Sequence, residues 1–388
     1  MKFLILDSGN TYNYGSMMMV ENVIHYYDEF TKQQNDWFVE MTDKVHQDRL
    51  IDATGNKNIN GITFKELFWC RKVRIALLFS KIGINPFKRK VKAFDKVVFL
   101  GGDDFTEIYG IPQLKFVTNL IDMFNKFTGK VSLQGQTIGP FDCSYRKTII
   151  NTLQNVNKLT VRDPQSLEYC KANNINAVEI ADFALLPLAK EEDGKSNTER
   201  NTVLFCPSEI MYRYSNGITR EEFIELNARL CEYIVEKYEA TVVLLPHVFD
   251  DRTKGDVGIT KEIFNKIKKS QNVKLIDKPM LPYEIRAIIN TSSFIVAERM
   301  HPSISGLECE VPSLVFSYGS KYEGIFNALY KLPELVIDIR KFSNEKALLN
   351  NCITKIEYIV QSRNILKQKI HEINQITQPK VMDAVKGI

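Results

Sequence analysis

The sequence predicts an α/β protein with two Rossmann-type halves, each on a parallel sheet, and a helical C-terminus. Three observations predict it. Short β-branched and aromatic runs alternate with stretches of helical spacing along most of the chain, the pattern of βαβ units. That series stops at the polar stretch KEEDGKSNTERN, around 190–201, and then starts again. From Ser343 onward only helical spacing is left. The expected organisation is an N-terminal domain over 1–190, a linker over 191–201 and a C-terminal domain over 202–388 that carries the closing helices.

In the first half the expected strands are Phe3-Leu6, Trp37-Met41, Val97-Leu100, Val131-Gln134, Leu159-Val161 and Val178-Ile180. Leu114, Val117, Ile121 and Phe124 mark the buried face of a helix between the third and fourth of these. In the second half the runs are Val203-Cys206, Val242-Leu245, Val273-Ile276, Phe294-Ala297, Ser313-Phe316 and Leu335-Ile339. Phe223, Leu226, Leu230 and Ile234 give the helix face between the first pair. Leu349, Ile353, Ile356 and Val360 open a terminal helical region that continues, with a break, to about Ile373.

Composition sets the class. Hydrophobic residues make up 44% and charged residues 25% of 388, the balance of a soluble globular chain with real cores. No apolar run approaches the roughly 18 residues of a membrane-spanning helix. The N-terminal MKFLILDSGNTYNYG is too short in its apolar part for a secretory signal and reads as a first strand. Seven scattered cysteines with no C-x-x-C pair argue against a disulfide framework or zinc site and for a reducing cytoplasm. The histidines are equally scattered, so no metal is expected.

The net charge of +4 is unevenly spread. LFWCRKVRIALLFSKIGINPFKRKVKAF, residues 67–94, holds eight Lys or Arg and no acid, interleaved with Phe68, Trp69, Leu77, Leu78, Phe79 and Phe87. Two readings stand side by side. One is an anionic membrane surface, where each nearby cation contributes roughly 1 kcal/mol. The other is an amphipathic core helix with a solvated basic face. No nucleic-acid recognition motif accompanies the charge, so nucleic acid is not an expected partner.

Parallel sheets present ligands at the carboxyl ends of their strands, and with two domains the cleft between them is the default site. The residues that follow each strand are therefore the candidates. Asn13 and Gly15 follow the first strand, Gly101 and Gly102 the third, and Gln136 lies in GQTIGP after the fourth. Arg162 and Asp163 come next, with a helix-capping salt bridge as their plain structural alternative. In the second half His247 follows Pro246, and Glu298, Arg299 and His301 follow Phe294-Ala297. Lys321 comes after the next strand. Arginine, lysine and histidine gathered at strand ends suit a small, multiply charged anion. No P-loop, nucleophile elbow or metal-carboxylate cluster is present.

These pieces together resemble the polysaccharide pyruvyltransferase family: Asn13-Tyr14-Gly15, GGDD at 101–104, GQTIGP at 135–140, VRD at 161–163, AD at 181–182, PH at 246–247 and ERMHPSISGLECEVPSLVFSYGSKYEG at 298–324. They run in the family's order across roughly residues 5–325. Ser16 stands where many members have Asp, and the glycine loop departs from the commoner forms. The resemblance implies a GT-B-like fold with the site between the domains. It also implies transfer of the enolpyruvyl unit of phosphoenolpyruvate to two hydroxyls of a sugar, free or lipid-linked, with release of phosphate. Arg299 and Arg162, supported by Lys321, then bind the donor, while Asn13, Gly15, Gly101, Gly102 and Gln136 line the site. His301, with His247 second, handles protons. No cofactor beyond the co-substrate is implied. Two rivals remain: a GT-B glycosyltransferase using a sugar nucleotide, with Glu308 or Glu310 on the ribose, and a non-catalytic carbohydrate-binding or membrane-scaffold protein.

Overall fold

The computed structural model describes residues 1–190, 201–249, 255–268 and 270–388. The expected linker, up to residue 200, lies outside them. The described chain divides into two compact units. The first comprises Met1–Thr11, Ser16–Phe183 and Thr377–Ile388, and the second comprises Tyr12–Gly15 and Ala184–Ile376. Two short pieces therefore depart from the expected 1–190 and 202–388 partition. Residues 12–15 belong to the second unit, and the last twelve residues belong to the first.

In the first unit the strands are β1 (Lys2–Leu6), β2 (Asp36–Glu40), β3 (Ile59–Ile62), β4 (Lys96–Leu100), β5 (Val131–Gln136), β6 (Lys158–Val161) and β7 (Val178–Glu179). They pair in the order β3-β2-β1-β4-β5-β6-β7, every pair parallel, with Leu4 opposite both Phe38 and Val97. Phe3, Leu4, Ile5 and Leu6 are all buried because helices cover both faces, which is why β1 reads as a continuous apolar run. The helix Ile111–Thr128 buries Leu114, Val117, Ile121 and Phe124 as the spacing predicts, and Gly129 ends it in the left-handed conformation.

In the second unit β8 (Thr202–Cys206), β9 (Thr241–Leu244), β10 (Val273–Leu275), β11 (Ser292–Ala297), β12 (Ser313–Ser317) and β13 (Val336–Asp338) pair as β10-β9-β8-β11-β12-β13, again all parallel. Both orders place the first strand of each unit third in its sheet, where the strand order reverses. All twelve expected strands are present to within a residue or two. The one not anticipated is β3, whose sequence Ile-Asn-Gly-Ile buries only its two ends. It lies on the edge of the sheet, where an exposed Asn60-Gly61 pair hides the β signal.

The terminal helices are Glu345–Gln361 and Arg363–Lys386, so the second runs well past Ile373. The polar run before Pro379 masks its continuation in the sequence. Packing sustains it: Val381, Val385 and Ile388 are buried, and Lys158 Nζ donates to the Gly387 carbonyl at 3.0 Å. The basic segment 67–94 also resolves. Leu67, Phe68, Val91 and Phe94 are buried in the core of the first unit, and the Phe87 ring packs on Phe68 and Phe124. Much of its aromatic content is thus internal. The helix Val73–Lys81 keeps a second apolar face outside.

Close packing also explains one motif glycine. The helix Met300–Glu308 lies against β11 and β12, and a Cβ on Gly306 would fall 2.5 Å from Ser313 Oγ and 2.8 Å from both Ile295 Cδ1 and the Val311 carbonyl oxygen. Gly306→Ala is expected to lower stability by about 1–3 kcal/mol in denaturant unfolding, through overpacking. A midpoint equal to that of the parent protein would show that the helix can move away.

Candidate functional site

In the second unit the functional side chains stand on the loops and first helical turns that follow β8, β9, β11 and β12. Asp256 holds three of those loops. It is fully buried; Oδ1 accepts from Arg299 Nη2 at 2.7 Å and from the Glu209 amide at 3.1 Å. Its Oδ2 accepts from Arg299 Nε at 3.0 Å and from the Val248 amide at 3.1 Å. Arg299 is thus held by a bidentate fork on its Nε and Nη2 edge, a geometry particular to guanidinium. Its Nη1 makes no hydrogen bond among the described residues.

The Asn13-Tyr14-Gly15 motif is built into the same group. Asn13 bridges Val248 in antiparallel fashion, Tyr12 O accepts from the Phe249 amide at 3.0 Å, and the Tyr14 ring meets His247 edge-on at 5.3 Å. Gly15 lies under the His301 ring: a Cβ there would sit 2.0 Å from Nδ1. Only glycine lets the imidazole approach so closely. His247 is buried, and its Nε2 has no hydrogen-bond partner among the described residues. Burial, followed by the nearby His301, Arg299 and Arg286 charges, holds its pKa well below the usual histidine value, so it is neutral at neutral pH. Lys321 is buried with its Nζ 3.0 Å from Tyr318 Oη, over the rings of Tyr318 and Tyr322 at 4.8 and 5.4 Å. The half-buried Tyr214 stacks on Tyr318 at 4.2 Å.

The first unit carries its own strand-end group. Arg162 is fully buried, with Nε donating to Thr137 Oγ1 at 2.9 Å and Nη1 to Asp182 at 2.8 Å. Its Nη2 has no hydrogen-bond partner among the described residues. Asp163 caps the following helix by accepting from the Ser166 amide at 2.8 Å, the capping half of the plain structural alternative, while the ion pair of Arg162 runs to Asp182 and not to Asp163. Gly102 lies against the Arg162 guanidinium. Gln136 is the last residue of β5 rather than a loop residue, and its carboxamide is buried against Gly101. Asp7 and Asp104, from the ends of adjacent β1 and β4, share a hydrogen bond, and that contact requires a proton. Crowding by the protein raises both pKa values, helped at Asp7 by the facing Asp104 and at Asp104 by the neighbouring Asp103, while the Asp7 side chain keeps contact with solvent.

Every residue expected at a strand end is at one. Arg299, His247, His301, Lys321, Asn13 and Gly15 gather in the second unit, and Arg162, Gly101, Gly102 and Gln136 in the first. Several participants were not singled out as site residues, among them Asp7, Asp256, Tyr214 and Tyr318. Asp7 follows the apolar run FLIL directly, the same signal that drew attention to Glu298. Asp256 gives no local signal, because its role comes from residues 43 positions away. The Tyr214–Tyr318 stack is likewise a product of tertiary packing. The carboxylates considered for a ribose are engaged elsewhere: Glu308 pairs with Arg286 and Glu310 with His371.

Glu298 has a definite place. Fully buried, it accepts from the Ser208 amide at 2.7 Å and Asn227 Nδ2 at 2.8 Å, and burial lifts its pKa from 4.5 to about 8. The folded protein therefore holds this proton more tightly than the unfolded chain. The stability it contributes is complete below about pH 4.5 and is lost as pH rises through about 8. Asn227 Oδ1 lacks a partner among the described residues, so a turned Asn227 amide can accept from a donor at position 298. Glu298→Gln supplies that donor at every pH. Its melting temperature is expected to fall less than that of the parent between about pH 6 and pH 9. Superimposable profiles would contradict an internal proton on Glu298.

The chain is similar in sequence and in fold to several known proteins. The amylovoran biosynthesis protein AmsJ of Erwinia amylovora is 20% identical over 302 residues, which span 74% of this chain and 70% of that protein. Among solved structures, the UDP-GlcNAc 2-epimerase of Neisseria meningitidis superposes with a TM-score of 0.61 at 11% identity, covering 99% of this chain and 98% of its own. UGT73P12 of Glycyrrhiza uralensis gives 0.57 at 10% identity, over 97% and 91%. These likenesses place the fold in the GT-B-like class. The family model for polysaccharide pyruvyl transferases matches residues 13–320, from the Asn13-Tyr14-Gly15 motif to the loop before Lys321, and the chain belongs to that family.

Proposed function

We propose that this protein transfers the enolpyruvyl unit of phosphoenolpyruvate to two hydroxyls of one sugar, forming a cyclic pyruvate ketal and releasing phosphate. The acceptor is a sugar of a surface polysaccharide or of its lipid-linked precursor, met in the cytoplasm at the inner membrane face. The family assignment supports the transferase class. The observation that carries the donor is the second unit's combination of Arg299 and Lys321 with the two histidines. A carboxylate and a phosphate on three carbons need several fixed cations, and Arg299 Nη1 and Lys321 Nζ are cationic groups held by rigid partners. Arg162 Nη2 is a further preorganised donor in the first unit.

The chemistry then follows from proton bookkeeping. An acid delivers a proton to the C3 methylene, which becomes a methyl group, while the first sugar hydroxyl adds to C2 and gives up its proton to a base. Cleavage of the C2–O bond expels phosphate, and the second hydroxyl adds to C2 as its proton leaves. His301, packed on Gly15, is assigned the acid role. His247, kept neutral by burial and its cationic neighbours, is assigned the base role, its proton passing on as the anionic phosphate leaves. The scheme uses no metal or further cofactor.

His301→Ala is expected to fold and to bind phosphoenolpyruvate but to lose turnover by about 10²–10⁴-fold, measured as phosphate release in the presence of acceptor. Near-normal turnover would remove His301 from the mechanism. For the donor, thermal-shift measurement is expected to show stabilisation by phosphoenolpyruvate that is lost in Lys321→Met. Arg299→Ala is a poor probe, because it also strands buried Asp256 at a cost of about 3–5 kcal/mol. Failure of phosphoenolpyruvate to stabilise the parent, together with turnover on a sugar nucleotide, would overturn the donor.

A further inference from the structure

The helix Val73–Lys81 is apolar on two sides. Val73, Ala76, Leu77 and Ser80 face the core of the first unit. On the outer side Ile75, Leu78, Phe79 and Ile82 recur at the i, i+3, i+4, i+7 spacing of a single helix face. Leu78 is 64% exposed and Ile82 71%, and Ile84 continues the ridge beyond the helix. Trp69 is 47% exposed; its indole Nε1 donates to the Asn85 carbonyl at 2.8 Å, and its ring lies 4.8 Å from Phe79. A solvated surface helix has no use for an outward row of Ile, Leu and Phe, and such rows mark binding faces.

Charge identifies what covers this face. Arg71, Lys72, Arg74 and Lys81 surround it, all exposed, and none of their side chains forms an ion pair among the described residues. From residue 67 to 94 there is no acid to neutralise them. A second copy docking through the same face would bring this cationic rim against itself, which like-charge repulsion opposes. An apolar ridge with a tryptophan beside it and a basic rim matches an anionic lipid surface. We propose that residues 69–84 dock this protein on a membrane rich in anionic phospholipid. Leu78, Ile82 and Ile84 enter the acyl boundary, Trp69 lies at headgroup depth, and the four basic side chains meet the lipid phosphates. The proposal does not depend on the identity of the donor.

The test is sedimentation of the full-length protein with vesicles of phosphatidylcholine alone, or with about one-third phosphatidylglycerol, at low and high salt. Binding is expected only to the anionic vesicles and is expected to weaken as salt rises. Leu78→Asp with Ile82→Asp, both at exposed positions, should cut partitioning at least about tenfold while leaving thermal unfolding unchanged. Arg74→Glu with Lys81→Glu should do the same through charge. Fluorescence gives an independent readout, because Trp37 is fully buried and Trp69 is the only other tryptophan. A blue shift on adding anionic vesicles, absent from the Leu78/Ile82 variant, reports insertion of the ridge. The proposal is overturned if the parent fails to sediment with anionic vesicles or if the Asp variant binds equally well. It is also overturned if the ridge proves to be buried in a dimer that the Asp variant dissolves.

Discussion

The bidentate ion pair between Arg299 and Asp256 is the interaction on which the second unit's strand-end geometry depends. Asp256 accepts four hydrogen bonds, two from Arg299 and one each from the Glu209 and Val248 amides. It thereby fixes the loops after β8, β9 and β11 relative to one another. A buried carboxylate is tolerable only when its oxygens are so occupied, and the arrangement then becomes stiff. His247 immediately precedes Val248, and His301 lies two residues after Arg299. The positions of both imidazoles follow from one carboxylate. Asn13-Tyr14-Gly15 then closes over them by backbone pairing to residues 247–249 and by the packing of Gly15 against His301.

A parallel network organises the first unit. Thr137, from the loop after β5, links Arg162 to Asp163, and Asp182 from a later loop neutralises the guanidinium. Ser166 returns from the helix that Asp163 caps and accepts from the Ile138 amide at 2.9 Å. The short motifs GQTIGP, VRD and AD are therefore parts of one hydrogen-bonded unit around a buried arginine. In both units an arginine is held by partners on two of its nitrogens while the third makes no hydrogen bond among the described residues. That is the preorganisation an anion site requires, since the cation need not reorient when the ligand arrives.

Much of this was legible from local sequence, and the exceptions have physical causes. Apolar strand runs such as FLIL and FIVA announce themselves because parallel strands are covered on both faces. Charge placed directly after such a run, as at Asp7, Arg162 or Glu298, marks a strand end. Edge strand β3 did not show, because Asn60 and Gly61 face solvent and erase the alternation. The extension of the last helix through Pro379 did not show either, because long-range burial of Val381, Val385 and Ile388 sustains it against local preference. In the basic segment the sequence could not separate core aromatics from surface ones. Phe68 and Phe87 pack inward and Leu78 and Ile82 outward, although all are equally apolar as letters.

By itself, the sequence determined two parallel α/β sheets, the strand-end placement of every candidate side chain and the family to which those motifs point. It could do so because period, turn residues and charge at the end of an apolar run are local properties of the chain. The tertiary structure decided which of those side chains are neighbours. It brought Asn13 and Gly15 to the second unit's histidines and gave Arg299 to Asp256. It paired Asp7 with Asp104 and placed Tyr318 and Tyr322 beneath the Lys321 ammonium. Apart from the local Tyr318–Lys321–Tyr322 group, these contacts join residues whose separation along the chain carries no signal, and they are set by packing and by the need of buried polar groups for partners.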